Sequence, residues 1–210
     1  DVARERGNRP DALAGYQTAH TKEPSTESAI RAYQAQLLYG NPAKAAEFME
    51  GWVKSHPNDL RALRALADGY LQAKNLTAAR ARYEDLLKRQ AEDAYALNNF
   101  ANVLLLLGDR SALERAQRAH QLAPQDAAIQ DTLGWVLVQQ GQVDQGLRHL
   151  REARLREPNN PEIRYHLAAA LARAGRAGEA RDELEQALKS DRPFDGVGDA
   201  RKLLSELPKS

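Results

Sequence analysis

Nine residues of the chain have the side-chain chemistry of a recognition surface, and they recur at one interval. Arg61, Arg64 and Asp68 are followed by Tyr95, Asn98 and Asn102, then by Asp131 and Trp135, then by Tyr165, each group shifted from the last by 33 or 34 residues. Aromatic rings and arginines are the residue types enriched where binding energy concentrates. Asparagine offers a donor and an acceptor together, which suits the backbone of an extended segment. The pattern assigns Trp135 and Tyr165 as anchors, Asn98 and Asn102 as backbone partners, and Arg61, Arg64 and Asp131 as the charges that set specificity. A second reading stays open, in which Trp135 and Tyr165 pack between successive helices while Arg64 and Asp68, four apart, form a surface pair.

Covalent chemistry is not indicated. Cysteine is absent, which removes disulfides, thiolate metal sites and a cysteine nucleophile. His20, His56, His120, His149 and His166 show neither HExxH nor HxxxH spacing, so no metal site is expected. His20, His56 and His120 fall near predicted helix C-termini, where a cation complements the dipole. The sequence has no phosphate-cradling GxxxxGK[ST] loop and no GxSxG nucleophile turn. The pairs Glu179/Glu183 and Arg181/Glu185 read as solvated helix surface. A non-enzymatic protein without a cofactor is expected.

The elements that must position these residues follow from composition. Hydrophobic residues make up 42% and charged residues 28%, with only 13 Gly and 9 Pro, so the chain has enough apolar side chains to pack. Alanine and leucine dominate and β-branched residues are scarce, which predicts an all-α fold. Thirty Lys plus Arg against 29 Asp plus Glu leave a formal charge of +1, no footprint for nucleic acid, so a protein or peptide partner is expected instead. The longest purely apolar run, Leu167 to Ala172, is six residues, against the ~20 that span a bilayer. No direct membrane insertion of this segment is expected. The lack of cysteine fits cytosol and periplasm equally.

Writing the chain in a period of 33 or 34 aligns Ala12, Ala45, Ala79, Ala112, Gly146 and Ala180 in one column of small residues. Gly7, Gly40, Gly108, Gly141 and Gly175 precede it by four or five residues, where a helix stops in a left-handed residue; Lys74-Asn75 replaces Gly once, with Asn the next best choice. Pro24, Pro57, Pro124 and Pro158 end a second helix and open a turn. Each unit thus holds a helix A, with stripes such as Leu63/Leu66/Tyr70 and Leu97/Phe100/Leu104, and a helix B. Helix B carries Tyr16, Met49, Tyr83, Leu150 and Leu184 four residues past the small column. Neither helix buries its apolar face alone, so the pairs must stack into a right-handed superhelix. The nine recognition residues lie on helix A, roughly 130° from its apolar stripe and too far round for the same neighbour to bury. Leu38, Leu71, Leu105 and Val138, apolar in four consecutive units, are expected to be partly packed between repeats.

Leu133-Gly134, Leu137, Gly141, Gly146, Leu150, Ala153 and Pro158 fall in the columns of the tetratricopeptide repeat (TPR) family, which the chain resembles. Residues 161–192 match nearly as well; the copies with Trp52 in a small position and Ala116 in a large one match least. The resemblance implies an all-α TPR solenoid of antiparallel helix pairs. It divides the chain into a partial repeat with helix B only (1–24), five units (25–192) and a capping helix (193–210). It also implies that the A helices line a concave groove holding a partner segment. The family's carboxylate clamp fits poorly, because Asp68 stands where an asparagine is expected and Ala128 and Thr132 stand where basic residues are expected. A groove with an asparagine ladder has one rung here, Asn98 with Asn102.

The phrases Asp131-Thr132-Leu133-Gly134-Trp135 and Pro161-Glu162-Ile163-Arg164-Tyr165-His166-Leu167 are similar to the C-terminal repeats of bacterial TPR lipoproteins that accompany exosortase (PEP-CTERM) and exopolysaccharide loci. That resemblance implies a periplasmic scaffold, anchored through a lipidated segment upstream, in an envelope or protein-sorting assembly. Alternatives are a cytoplasmic protein, the substrate-presenting arm of a larger transferase or protease encoded upstream, and an RNA-binding helical repeat. Because the chain opens on a helix B, it is expected to be the C-terminal part of a longer array.

Overall fold

Each A helix begins where a short polar side chain can take up an orphan backbone N–H. Ser25, Asp59, Asp93, Asp126 and Asn160 form a column of such N-caps, each accepting from an amide two or three residues on. In the computed structural model, which describes residues 9–208, the A helices so started are α2 (Thr26–Tyr39), α4 (Leu60–Gln72), α6 (Ala94–Leu106), α8 (Ala127–Gln139) and α10 (Pro161–Arg173). The B helices are α1 (Arg9–Lys22), α3 (Pro42–Ser55), α5 (Leu76–Arg89), α7 (Ala112–Leu122), α9 (Val143–Arg156) and α11 (Ala177–Leu188), and α12 (Val197–Glu206) follows. Gly7 lies outside the described residues.

Four A helices stop in the same way. Lys74, Gly108, Gly141 and Gly175 have positive φ, and the next amide donates back to the carbonyl five residues earlier: Asn75 to Tyr70, Asp109 to Leu104, Gln142 to Leu137 and Arg176 to Leu171, each at 2.9 Å. These are Schellman closures. Two glycine-column expectations are corrected here. Gly40 has φ −118, outside the left-handed region. In the next unit Lys74, at φ 57, takes the left-handed position rather than Asn75, because Asn75 is committed to capping α5 through Ala78 N.

The chain divides into two compact units, residues 1–91 and 92–210. In the first, Ala45 and Met49 of α3 pack with Tyr33 of α2 and with Ala62 and Leu66 of α4. Gly69 admits the Tyr33 ring: a Cβ there would lie 1.9 Å from the Tyr33 hydroxyl. In the second, Leu147, Leu150 and Ala180 of the B helices meet Val138, Leu167, Ala170 and Leu171 of the A helices. Backbones come close between Gly134 of α8 and Gly146 of α9, where a Cβ on Gly146 would stand 2.6 Å from the Gly134 carbonyl oxygen. The small column is therefore a contact column: Ala45, Ala79, Ala112 and Ala180 have no exposed surface. Fully burying a Met49 or Leu150 contributes about 1.5–3 kcal/mol. Of the column expected to be partly packed, Leu71 and Leu105 are half-buried and Val138 is buried. Leu38 departs from it at 63% exposure, since α2 turns Tyr33 and Leu37 inward and leaves Leu38, the next residue round, in solvent. α12 closes the second unit by burying Ala200 against Ala168 and Leu184.

Candidate functional site

The A-helix residues singled out above fall into two sets, one per unit. In the first unit, Arg61, Arg64 and Asp68 of α4 line a cleft of about 240 Å³ with Tyr33, Gln34 and Leu37 of α2. Arg61 is exposed and paired with Glu27 of α2 at 2.7 Å, and Glu27 also holds Arg31 at 2.9 Å. Hydrogen bonds from Arg61, then Arg31, hold the Glu27 carboxyl below its ordinary value. Asp68 accepts a 2.5 Å hydrogen bond from the buried Tyr83 hydroxyl of α5, which fixes it at the floor of the face. Burial, then the neighbouring Tyr70, Asp68 and Glu50, pushes the Tyr33 hydroxyl well above its usual range, so it is a neutral wall group.

In the second unit the face is assembled from α6, α8 and α10. Tyr95 opens it at 58% exposure; its hydroxyl donates to Asp126 Oδ2 at 3.1 Å, the carboxylate that also caps α8. Asn98 and Asp131, one repeat apart, are 6% and 7% exposed. The expectation that this column lies too far round to be buried is corrected at these two positions. Successive A helices pack side by side, so a residue 130° from the apolar stripe meets the next helix A rather than solvent. Asn102 is half-buried and reaches Thr132 Oγ1 at 3.5 Å.

Trp135 is half-buried, and its ring stacks on His166 at 4.4 Å between centroids with 12° between planes. The Arg173 guanidinium lies 5.7 Å from the same ring, within cation–π range. Asp131 Oδ2 is 2.8 Å from His166 Nδ1, with 10% and 12% of the two side chains exposed. Burial disfavours the imidazolium, but the Asp131 charge and hydrogen bond, with Glu162 beyond, outweigh it and raise the His166 pKa. Tyr165 is covered on its other side by Phe194, at 6.1 Å between centroids, and a Cβ on Gly196 would stand 2.5 Å from its ring. Trp135 is thus half-buried among His166, Tyr165 and Arg173 and packs on the core around Val138, while Tyr165 also meets the segment leading to α12.

His166 and Arg173 escape the sequence pattern because their partners lie on the neighbouring A helix, not along their own. The signal is an offset of about one repeat: His166 to Asp131 and Arg173 to the Val138 carbonyl both span 35 residues. A second histidine pair joins α7 and α9, His120 and His149, with ring centroids 5.3 Å apart. Burial lowers the pKa of both, and for His149 the neighbouring His120 adds to it. His120 lies in the last turn of α7, as expected, and its burial favours the neutral ring. Among the described residues no group of three or more His, Cys, Asp or Glu could hold a metal, and no helix is long and apolar enough to cross a membrane.

Stacked pairs of antiparallel helices with small residues at each crossing and a ladder of side chains along the A helices define a helical-repeat protein. A tetratricopeptide repeat family model matches residues 132–195. Over 174 residues, 80% of its length, the chain is 29% identical to the TPR repeat-containing protein PA4667 of Pseudomonas aeruginosa, of which it spans 29% of the length. Its fold is similar to TTC0263, a thermophilic TPR protein of Thermus thermophilus, with a TM-score of 0.71 and 23% identity over 86% of this chain and 100% of that one. It is also similar to YrrB, a TPR protein with an unusual peptide-binding site, with a TM-score of 0.61 and 17% identity over 89% of this chain and 97% of that one. TPR proteins generally mediate protein–protein interactions and generally are not enzymes.

Proposed function

We propose that the chain is a non-enzymatic interaction scaffold whose A helices hold an extended segment of a partner protein. The observation that carries this reading is the second-unit face: an aromatic ring stacked on His166, with the half-buried amide of Asn102 on the preceding A helix. A preformed aromatic loses little freedom when a ligand packs on it, which is the property of an anchor. The peptide-binding site of YrrB, in a protein of similar fold, supports the same use of these helices. In the first unit, Arg61, Arg64 and Asp68 supply charge to a cleft of their own.

The setting we propose is a bacterial envelope, in an exopolysaccharide or protein-sorting assembly reached from the periplasm. The phrases around Trp135 and Tyr165 support it through their resemblance to TPR lipoproteins of such loci. Fractionation of the native host tests this part: recovery in the cytosolic fraction contradicts it.

The binding claim is tested by selecting extended peptides from a random display library on the immobilised chain. Selected peptides should lose at least tenfold in affinity when Asn102→Arg blocks the face, a substitution at a half-buried position that leaves the core columns intact. Equal affinity of wild type and Asn102→Arg for every selected peptide contradicts the proposal.

A further inference from the structure

Two oxygens on successive A helices of the second unit are buried without a hydrogen-bond partner: Asn98 Oδ1 on α6 and Asp131 Oδ1 on α8. Leaving a buried acceptor unpaired costs free energy that an apolar side chain of the same shape would not. Both atoms are acceptors only, so whatever satisfies them must bring N–H or O–H groups. Asp131 has its other oxygen engaged by His166, which orients the carboxylate and leaves Oδ1 turned away from that bond.

The charges of the same face point the same way. Its carboxylates in this unit are Asp131 and Glu162, with Asp126 at the edge beneath Tyr95, and His166 is engaged by Asp131. Arg173, the nearby cation, is committed to the Trp135 ring, the Val138 carbonyl and Gln139 Oε1. Unpaired acceptors with carboxylates around them, beside an aromatic ring, are complementary to a cation on an apolar stem.

We propose that this face selects a basic segment, a Lys or Arg side chain of the partner placing its N–H groups at Asn98 Oδ1 and Asp131 Oδ1 beside the Trp135 ring. The inference rests on the peptide-binding reading above and adds the chemistry of the ligand. The test is a titration followed by the Trp135 indole and Asn98 side-chain amide NMR signals. Three blocked peptides serve as probes, identical Gly-Ser pentamers with Arg, norleucine or Glu at the centre. The Arg peptide should bind at least tenfold more tightly than the Glu peptide. Asp131→Asn, nearly isosteric, and Asn98→Leu, which removes the orphaned oxygen, should each cut that preference at least threefold while circular dichroism shows a folded chain. Equal binding of the three peptides, or an unchanged preference in both variants, overturns the basic selectivity and leaves the peptide-binding reading standing. No movement of the Trp135 signal with any peptide at millimolar concentration overturns both.

Discussion

Gly146→Ala should destabilise the protein, although alanine is the better helix former. The added Cβ would lie 2.6 Å from the Gly134 carbonyl oxygen and 2.4 Å from Val138 Cγ2. Ordinary contact begins at 3.4 Å, so α8 and α9 must separate by roughly 0.8 Å, enough to forfeit about a quarter to a half of the dispersion attraction across that seam. The atom struck is backbone, which has no rotamer to escape into, and this places the cost near the upper end of overpacking, ~3 kcal/mol. The intrinsic gain of alanine over glycine returns ~1 kcal/mol. The balance is a loss of ~2 kcal/mol, a drop in Tm of about 4–8 °C for a chain of this length. Gly51→Ala is the control: Gly51 sits inside α3, and a Cβ added there would have nothing within 4 Å, so the propensity gain stands alone and Tm should rise by about 1–4 °C. Thermal melts followed by circular dichroism at 222 nm read both. A Gly146→Ala protein stabilised as much as Gly51→Ala would refute the close-approach argument.

The remaining predictions concern charge, backbone and the aromatic face. Because the folded-state pKa of His166 is raised, the Asp131 pairing contributes fully below the unfolded value of ~6.5 and fades as pH rises through the folded value. Urea titrations should therefore show Asp131→Asn costing ~1.5–3 kcal/mol near pH 6 and less towards pH 9, and a gap that widens with pH would sink the idea. His120 and His149, with lowered values, should make the wild type lose stability as pH falls below ~6.5, a trend that His149→Gln should flatten in the same titrations. Lys74→Gly should relieve a left-handed residue worth ~1 kcal/mol and raise the urea midpoint; an unchanged or lower midpoint argues against the Schellman closure there. Trp135→Ala should weaken a selected peptide by more than ~2 kcal/mol, as measured calorimetrically on the folded fraction, whereas unchanged binding with a lower Tm would make Trp135 core.

The repeat was legible because its constraints are local. A small residue at 45, 79, 112, 146 and 180, and glycine at 108, 141 and 175, report close helix contacts and left-handed stops that few other residues satisfy. What a helical wheel does not contain is the neighbouring helix. The wheel puts Asn98 and Asp131 on the open side of their helices, yet α6, α8 and α10 bury them against one another. Tyr165 and Trp135 share a face by the wheel, but only Tyr165 meets Phe194 and Gly196, a contact fixed by how the chain turns after α11. The hydrogen bond of His166 goes to Asp131 on the neighbouring helix, and it emerges once two A helices are set side by side.

The most direct test of the central claim is to ask which face of the helix pairs a partner touches. A photo-crosslinking residue is placed at Asn102 on α6 or at Leu155 on α9, a position 72% exposed, and the chain is exposed to an envelope extract of its native host. The account predicts that Asn102 captures a discrete protein through one contiguous peptide, mapped by mass spectrometry, and that Trp135→Ala abolishes the capture while the chain stays folded. Capture from Leu155 alone, unaffected by Trp135→Ala, would mean that the aromatic face is packing and that binding belongs to the B helices.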